Sequence, residues 1–386
     1  MPTIIDSLNL ISKTIDNILD FIAADDCLSK DFEEYLNINN IEINSEKDFN
    51  NTIIQYIFDM KMQSGLRVLE YYRRNNANSS NAVIEALLDS FVGVFKIEKI
   101  QSNSYNALCL ASNAQITLTP MVKMYHLKQI GRYDHIEARI VEFNNNLYIL
   151  EIYNVIPELD VYQARVCAIK HMLEYPKSAY YKNEKKKTEL AQSAGIFYQK
   201  FEELFNNNFI ITTNKKADCL IEFFNQYRKN SKNLDYSALI ENVEKNRYIK
   251  IEELDYDEKT LANKEISGFS SHKETYDIGL FVDKERGLYI IPFLETFFKC
   301  FCEDIEGKKE CLREFLTSDK VPPEIIKLAY DKYPNFLNEI NKNLNTNFST
   351  LEELLFNTKA SFVSSIVFSS VNILFNSELF SSLLDQ

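Results

Sequence analysis

The sequence predicts an α+β protein: a helical N-terminal region, a small five-stranded barrel of the OB or SH3-like kind, and a C-terminal mixed helix and strand unit ending in helices. Apolar residues recur at helical spacing up to residue 90, alternate with polar ones from 91 to 157, and then return to helical spacing. We therefore divide the chain into four segments. They are helical 1–90, barrel-like 91–157, helical with short strands 158–265, and a hairpin plus C-terminal helices 266–386.

The first helix is predicted at the N-terminus. Thr3 and Asp6 resemble a capping box. An apolar face follows at three- and four-residue spacing: Ile4, Leu8, Ile11, Ile15, Ile18 and Ile22. The stretch lacks the basic start and the cleavage site of a secretory signal, so we expect an ordinary helix. Further helical spacing covers residues 52–62, 66–72 and 82–91.

The barrel-like segment rests on period-two alternation. It predicts strands at 92–100, 105–110, 115–119, 134–143 and 147–153, with a tight turn at the three asparagines 144–146 and a longer excursion at 120–133. In strand count and spacing the segment resembles small OB or SH3-like barrels. No fingerprint residues accompany the likeness, so it implies an architecture and not a function. Two separate antiparallel hairpins are the alternative.

The remainder of the chain mixes helices and strands. Helical spacing covers 161–174, 189–205 and 217–228, and strand-like pieces cover 209–213, 248–251, 276–282 and 288–292. Asp283 and Gly287 suit a type I turn followed by a left-handed glycine. Pro322 and Pro323 with Glu324 open a helix. Residues 256–271, which are polar and aperiodic, are the predicted hinge.

The charge balance and the cysteines indicate which partners and which cellular compartment to expect. The 43 basic and 56 acidic side chains leave a net charge of −13, which disfavours general nucleic-acid binding. Seven scattered cysteines are typical of a reduced, cytoplasmic protein. The uncharged stretch 360–377 is too polar for a membrane span. We expect no membrane partner, and a buried helix from Ser361 to Phe375 that alternatively joins two copies of the chain.

Several familiar chemistries are excluded by spacing. The chain has eight glycines, and the closest two stand eight positions apart, so Walker, dinucleotide-binding and nucleophile-elbow motifs are absent. The four histidines include no pair three or four apart, and the cysteines form no C-x-x-C. No cofactor is predicted and no catalytic motif is found. Sites built from residues distant in sequence stay open.

One metal hypothesis comes from Cys167 and His171. They are one helical turn apart, a spacing that places two soft ligands on one face. The alternative is a buried thiol beside a core histidine, because Cys167 stands among Val166, Ala168 and Ile169.

Residues 175–189 (YPKSAYYKNEKKKTE) suggest a nucleic-acid surface, since single-stranded nucleic acid uses aromatic rings among cations. The candidate contacts are Lys177, Tyr180, Tyr181, Lys182, Lys185, Lys186 and Lys187. A solvated loop between two helices is the alternative. The barrel-like segment itself carries six cations and five acids, which favours protein contact over phosphate contact.

These observations leave three hypotheses about function. The leading one is a cytoplasmic protein-binding or scaffold protein in which helices hold a small barrel. The alternative is an enzyme of an unrecognised type, with a site between the barrel and the C-terminal unit. The third is RNA binding through residues 175–189.

Overall fold

The computed structural model describes residues 3–38, 40–60, 62, 66–76, 81–121, 130–217, 220, 221, 224, 227, 275–318, 320–359, 362 and 367–379. The chain forms two compact units, residues 1–184 with 377–386, and residues 185–376. Helices and strands are mixed, and the predicted α+β class is confirmed. The four-segment division stays a prediction. The predicted strand 248–251 and hinge 256–271 lie outside the described residues.

In the described part of the first unit, five helices precede the strands: α1 Ile4–Ala24, α2 Asp26–Ile38, α3 Glu46–Asp59, α4 Val68–Asn75 and α5 Asn81–Leu88. The capping box at Thr3 and Asp6 is present. The predicted apolar face of α1 packs on the core except at its first residue. Ile11, Ile18 and Ile22 are buried, Leu8 and Ile15 are half-buried against the same core, and Ile4 is exposed.

Five strands form one closed sheet: β1 Phe91–Ile100, β2 Tyr105–Cys109, β3 Gln115–Pro120, β4 His135–Phe143 and β5 Asn146–Ile156. β1 pairs antiparallel with β2 and β4, β2 pairs with β3, and β4 with β5. A parallel pairing of β3 with β5 completes the order β1-β2-β3-β5-β4. The prediction of five strands is confirmed, and the two-hairpin alternative is wrong because every strand has two neighbours.

The turn between β4 and β5 is the predicted tight one. Asn144 and Asn145 form the two-residue connection, and both have positive φ, 51° and 62°. A two-residue hairpin of this type needs left-handed backbone at both positions, which asparagine adopts more readily than other non-glycine residues.

Two layers cover the outside of the sheet in the first unit. Helices α1 to α5 pack their apolar faces against Val141, Phe143, Tyr148 and Leu150 of β4 and β5. Helix α6, Val161–Glu174, follows the 3-10 turn Glu158–Asp160 and precedes the 3-10 turn Pro176–Ala179. Its Ala164 and Ala168 pack against Val94 and Ile156. These small side chains let the helix lie close to the strands.

The second unit combines a three-stranded antiparallel sheet with helices. Its strands are β6 Phe209–Thr213, β7 Asp277–Asp283 and β8 Gly287–Pro292, in that order. Among its described residues are the helices α7 Glu184–Phe205, of which this unit holds Lys185 onward, α8 Leu294–Lys299, α9 Lys308–Thr317, α10 Pro323–Lys332, α11 Phe336–Leu344, α12 Leu351–Thr358 and α13 Ser370–Phe375.

Local signals in this unit act as predicted. The Asp283 carboxylate accepts hydrogen bonds from the backbone of Glu285 and Arg286, and Gly287 has φ 98°, so the predicted turn is confirmed. Helix α10 has proline at its first position. The continuous helix predicted from Ser361 to Phe375 is wrong. Residues 367–369 are non-helical, and the Ser369 side chain caps a helix that starts at Ser370.

Among the residues that the structure describes, no helix combines the length and apolarity that crossing a membrane requires.

Candidate functional site

The end of α6 joins a group of polar side chains that is centred on Glu137 and Arg139 of β4. We call it the β4 polar cluster, and its members are Asp59, Ser90, Glu137, Arg139, Tyr153, His171 and Tyr175. Alternation along β4 places Glu137 and Arg139 on one side of the strand. Helix α3 contributes Asp59 as its last residue. His171 and Tyr175, one helical turn apart, come from the end of α6.

Arg139 is the centre of the cluster and is only 1% exposed. Its Nη2 donates to Asp59 Oδ2 at 2.5 Å and to the Tyr175 hydroxyl at 3.0 Å. Its Nε donates to the Tyr153 hydroxyl at 3.2 Å, and its Nη1 to Ser90 Oγ at 3.3 Å. All three guanidinium nitrogens therefore have partners.

Aromatic rings complete the surroundings of this guanidinium. It lies 4.8 Å from the ring centroid of Phe58 and 5.5 Å from that of Tyr175. Contact with an aromatic face stabilises a cation most where water is excluded. The Tyr175 hydroxyl also donates to Asp59 Oδ1 at 2.5 Å, so one tyrosine contacts both members of the ion pair.

The electrostatic surroundings keep Arg139 charged and keep the two tyrosines of the cluster neutral. Burial alone would lower the pKa of Arg139, but the neighbouring oxygens of Tyr153, Asp59 and Tyr175 outweigh it and raise the pKa. Burial raises the pKa of Tyr153 and of Tyr175, and the charge of Asp59 adds to both shifts. Both tyrosines thus remain protonated. A buried charge is tolerated when it is paired and hydrogen-bonded, and this one is.

The predicted metal ligands lie beside this network. His171 Nε2 is 2.7 Å from Glu137 Oε1, and its Nδ1 is 3.4 Å from Glu174 Oε2. Cys167 is half-buried one turn earlier, and burial followed by the charge of Glu137 raises the pKa of its thiol. In the described part of the chain, no three His, Cys, Asp or Glu side chains gather in a metal-binding group. A metal at Cys167 and His171 stays a prediction.

A raised thiol pKa is the opposite of what a cysteine nucleophile needs. The histidine is oriented by a carboxylate, as in an acid and base pair, but the adjacent thiol is held protonated. In this arrangement the His171 and Glu137 contact supports the position of α6 on the sheet. Sequence reasoning found His171 but missed Glu137, which is 34 residues away in the chain.

The predicted nucleic-acid contacts are largely engaged within the protein. Lys177 pairs with Asp89, Lys182 with Glu142, and Lys185 with Glu189 at 3.7 Å. Tyr181 is buried, donates to Glu142 Oε2 at 2.7 Å and packs its ring 4.8 Å from that of Phe91.

The other three predicted contacts differ in exposure. Tyr180 and Lys186 are half-buried, and Lys187 is exposed. Burial and the charge of Asp89 raise the pKa of Tyr180 to about 12. Nucleic-acid binding by these residues stays a prediction, and the ion pairs within the chain reduce the charge that they offer to phosphates.

Sequence reasoning missed a set of exposed apolar residues at the start of α6. Leu159, in the preceding 3-10 turn, is 94% exposed, and Tyr162 and Val166, on the outer face of α6, are 62% and 42% exposed. We call these three residues the α6 stripe. Val166 and the inward Ala164 are two residues apart, which is about 200° around a helix. The spacing i, i+3, i+7 was visible in the sequence, but it does not tell which side of a helix faces the sheet.

Charged residues border the stripe. Glu158 and Asp160 are exposed at its start, and Lys170 is exposed one turn beyond its end. A surface of this kind has an apolar centre and a charged rim, as protein interfaces commonly do.

Comparison of the chain with protein-family models, with curated proteins and with solved structures found no match.

Proposed function

We propose that the protein is a cytoplasmic protein-binding scaffold that presents the α6 stripe to an apolar groove on a partner protein. The observation that carries the proposal is the exposure of Leu159, at 94%, in the 3-10 turn just before the exposed Tyr162 and Val166 of α6. Burying a leucine side chain contributes about 1.5–3 kcal/mol relative to leaving it in water. Three such side chains in a row offer a partner far more apolar area than singly exposed residues do.

The spacing of the stripe supports a known mode of recognition. Helices that dock in grooves use anchors at positions i, i+3, i+4 and i+7. Tyr162 and Val166 form such an i, i+4 pair on α6, and Leu159 adds a third apolar side chain from the adjoining 3-10 turn. Tyrosine is also one of the residue types that most often dominate interface energetics.

The β4 polar cluster, on the opposite side of α6 from the stripe, supports the proposal because it fixes the orientation of the helix. Because Arg139, His171 and Tyr175 hold α6 on the sheet through directed hydrogen bonds, the stripe is presented in a fixed orientation. A helix that is already ordered loses little conformational entropy on binding, which improves affinity.

The sheet that carries α6 is, in this proposal, a small barrel of the OB kind. The support is its closed order and the parallel pairing of β3 with β5, which a simple meander does not contain. Its role is to hold the helix. Cytoplasmic location is supported by the cysteines that the structure describes, all of which are free thiols.

This proposal is preferred to the other two hypotheses. RNA binding is weakened by the ion pairs of Lys177, Lys182 and Lys185 and by the net charge of −13. An enzyme would need reactive groups open to a substrate, and Arg139, the centre of the polar cluster, is 1% exposed.

The test is site-specific photocrosslinking in the source cells. A benzophenone amino acid replaces Tyr162 in one variant and Phe356 in a control, since Phe356 is an equally exposed aromatic residue at 67%. We expect one protein to be captured reproducibly at position 162 and not at position 356. Capture of the same proteins at both positions, or of none, would contradict the proposal.

The captured partner is then tested with purified proteins. Leu159→Ser combined with Val166→Ser should weaken binding at least tenfold, because two anchors are lost, whereas Phe356→Ser should leave it unchanged. Equal affinity of the double variant and the wild type would remove the stripe from the interface. Binding to vesicles or to RNA in place of protein would refute the proposed partner class.

A further inference from the structure

The far end of β1 carries cations that belong neither to the β4 polar cluster nor to the α6 stripe. In the pairing of β1 with β2, Lys96 lies opposite Leu108 and Lys99 lies opposite Asn106. Residues two apart on a strand point to the same side, so the two lysines share one face of the sheet, about 7 Å apart along the strand. The bulge at Glu98 brings this about, because regular alternation would place residues 96 and 99 on opposite faces.

Arg132 joins these lysines from the segment before β4. Its Nε donates to the carbonyl oxygen of Glu98 at 3.0 Å, which holds the guanidinium at the bulge. The guanidinium lies 4.6 Å from the ring centroid of Tyr133, and the Lys96 ammonium lies 5.5 Å from the same centroid. We call these four residues the β1 cation site: Lys96, Lys99, Arg132 and Tyr133. Lys99 and Arg132 are exposed, and the other two are half-buried.

The backbone of Tyr133 is strained. Its φ is 74°, a left-handed conformation that is uncommon for a bulky residue and costs free energy. The Tyr133 N–H donates to the Ile97 carbonyl at 2.6 Å, and the Ile97 N–H donates to the Asp134 carbonyl at 2.8 Å. Two backbone hydrogen bonds to β1 thus maintain the strained residue. Strain of this kind is concentrated at binding and catalytic sites.

The cations of the site have no acidic partner among the residues that the structure describes, where no carboxylate oxygen lies within 4.0 Å of them. The two acids next to the site in sequence are held by other groups. Glu98 accepts a hydrogen bond from the Gln115 side chain at 3.2 Å. The Asp134 carboxylate accepts from the backbone N–H groups of Gly131, at 2.7 Å, and Glu158, at 3.2 Å.

The charge balance of the barrel-like segment conceals this separation. The segment carries six cations and five acids, so its total is close to neutral. In the structure, however, Glu137 pairs with His171 and Glu142 pairs with Lys182. These acids are engaged by α6 and by the residues that follow it, and the three cations at the end of β1 are left for another group.

We propose that the β1 cation site binds a small phosphorylated ligand. Arginine and lysine are the residue types that bind phosphate oxygens, through charge-assisted hydrogen bonds. Three neighbouring cations match the several negative charges of a phosphate ester or a diphosphate, whereas a carboxylate brings only one. This inference is independent of the function proposed for α6.

A small ligand suits the site better than a nucleic-acid strand does. The net charge of −13 repels a long polyanion, and a strand gains affinity from contacts with many phosphates. Single-stranded nucleic acid also stacks its bases on aromatic rings. The ring of Tyr133 is already in contact with Lys96 and Arg132.

The test is calorimetric titration of the full chain with inorganic pyrophosphate in a magnesium-free buffer of low ionic strength. We expect one saturable site. Lys96→Met combined with Lys99→Met should weaken binding about tenfold, because two of the three charges are lost. The control combines Lys170→Met with Lys187→Met, which removes the same charge from two exposed lysines elsewhere and should leave the affinity unchanged.

Two results of this titration would overturn the proposal. One is the absence of saturable pyrophosphate binding to the wild type. The other is equal weakening in the site variant and in the control, because general charge would then explain the binding. Tighter binding of a short single-stranded RNA than of pyrophosphate, lost in the site variant, would overturn the class of ligand.

A variant with the opposite sign sharpens the test. Glu98→Gln removes the acid at the bulge and keeps an acceptor for Gln115, so pyrophosphate should bind about two- to fivefold more tightly. Unchanged or weaker binding in Glu98→Gln would contradict the assigned location.

A measurement on the wild type needs no variant. Pyrophosphate should slow hydrogen exchange in peptides that contain residues 95–100 and 130–135. Slowing confined to other peptides would overturn the proposal. Circular dichroism verifies that each variant is folded.

Discussion

The two faces of helix α6 differ in what they contact. The inner face buries Ala164, Ala168 and Met172 and carries His171, which pairs with Glu137. The outer face exposes Tyr162 and Val166, and the exposed Leu159 precedes them in the adjoining 3-10 turn. An ordinary surface helix is apolar inside and polar outside. The difference suggests that the inner face is selected for a defined position and the outer face for contact with another molecule.

Directed contacts explain how the inner face sets that position. Apolar packing tolerates small shifts, because dispersion contacts have little direction. A guanidinium with partners on all three nitrogens does not tolerate small shifts, because any shift leaves a buried donor without its hydrogen bond. The comparison predicts that changes on the inner face alter stability, whereas changes on the outer face alter binding alone.

The largest expected effect comes from Arg139→Met. Removing one partner of a buried ion pair typically costs 3–5 kcal/mol, and the Asp59 side chain is 32% exposed, so we expect the lower end, about 3 kcal/mol. Hydrogen exchange measured on peptides of β4 and α6 reports the loss. The control is Arg132→Met, an exposed arginine, for which we expect a change within about 0.5 kcal/mol.

A double variant separates the loss of the Arg139 interactions from the cost of leaving the Asp59 carboxylate unpaired. In Arg139→Met with Asp59→Leu no unpaired carboxylate remains, so part of the stability should return. If Arg139→Met alone changed the free energy of unfolding by less than about 1 kcal/mol, the cluster would not be what fixes α6.

Much of the fold was predictable because its signals are local. Alternation of apolar and polar residues predicts all five strands of the sheet, and Asn144 and Asn145 predict the tight turn between β4 and β5. The failure at residues 361–375 is equally local. The apolar spacing predicts one continuous helix, but Ser369 uses its hydroxyl as an N-cap, so a new helix starts at Ser370.

The candidate sites were less predictable because their partners are distant in sequence. Arg139 meets Asp59 across 80 positions and Tyr175 across 36, and no single-sequence pattern marks such pairs. Which face of α6 is exposed depends on how the helix packs on the sheet, and the periodicity of the sequence does not determine that packing.

Tyr175→Phe is expected to have the second largest effect. The variant removes a hydroxyl that contacts both Arg139 and Asp59, and hydrogen bonds to charged groups contribute about 1.5–3 kcal/mol, so we expect a loss of about 2 kcal/mol. Tyr153→Phe is the matched control, because the Tyr153 hydroxyl accepts one hydrogen bond from Arg139, at 3.2 Å. Its expected loss is about 1 kcal/mol. Chemical unfolding followed by circular dichroism measures both. A reversed order would contradict the central role of Tyr175.

A smaller effect depends on pH and concerns His135, the buried first residue of β4. Burial, and then the charge of Lys96, lowers the pKa of His135 from its ordinary 6.5. The unfolded chain therefore binds more protons below pH 6.5, and this stability is complete above pH 6.5 and is lost as the pH falls toward the folded-state pKa.

The loss cannot exceed about 1.4 kcal/mol for each pH unit, the value for one proton. Unfolding midpoints at pH 7.5 and 5.5 should differ more in the wild type than in His135→Phe. Lys96→Met should lie between them because it removes the second cause of the shift. Identical pH dependence in all three proteins would show that His135 gains its proton equally well when folded.

The smallest effect on stability is expected at the α6 stripe, and it tests the comparison most directly. Leu159→Ser changes a side chain that is 94% exposed, so the free energy of unfolding should stay within about 0.5 kcal/mol of the wild type. Ala168→Leu is the matched change on the inner face. It forces added volume against Val94 and Ile156 and should cost about 1–3 kcal/mol. If Leu159→Ser destabilised the first unit as much as Ala168→Leu, the stripe would serve the fold of this chain, and the proposed partner would lose its main support.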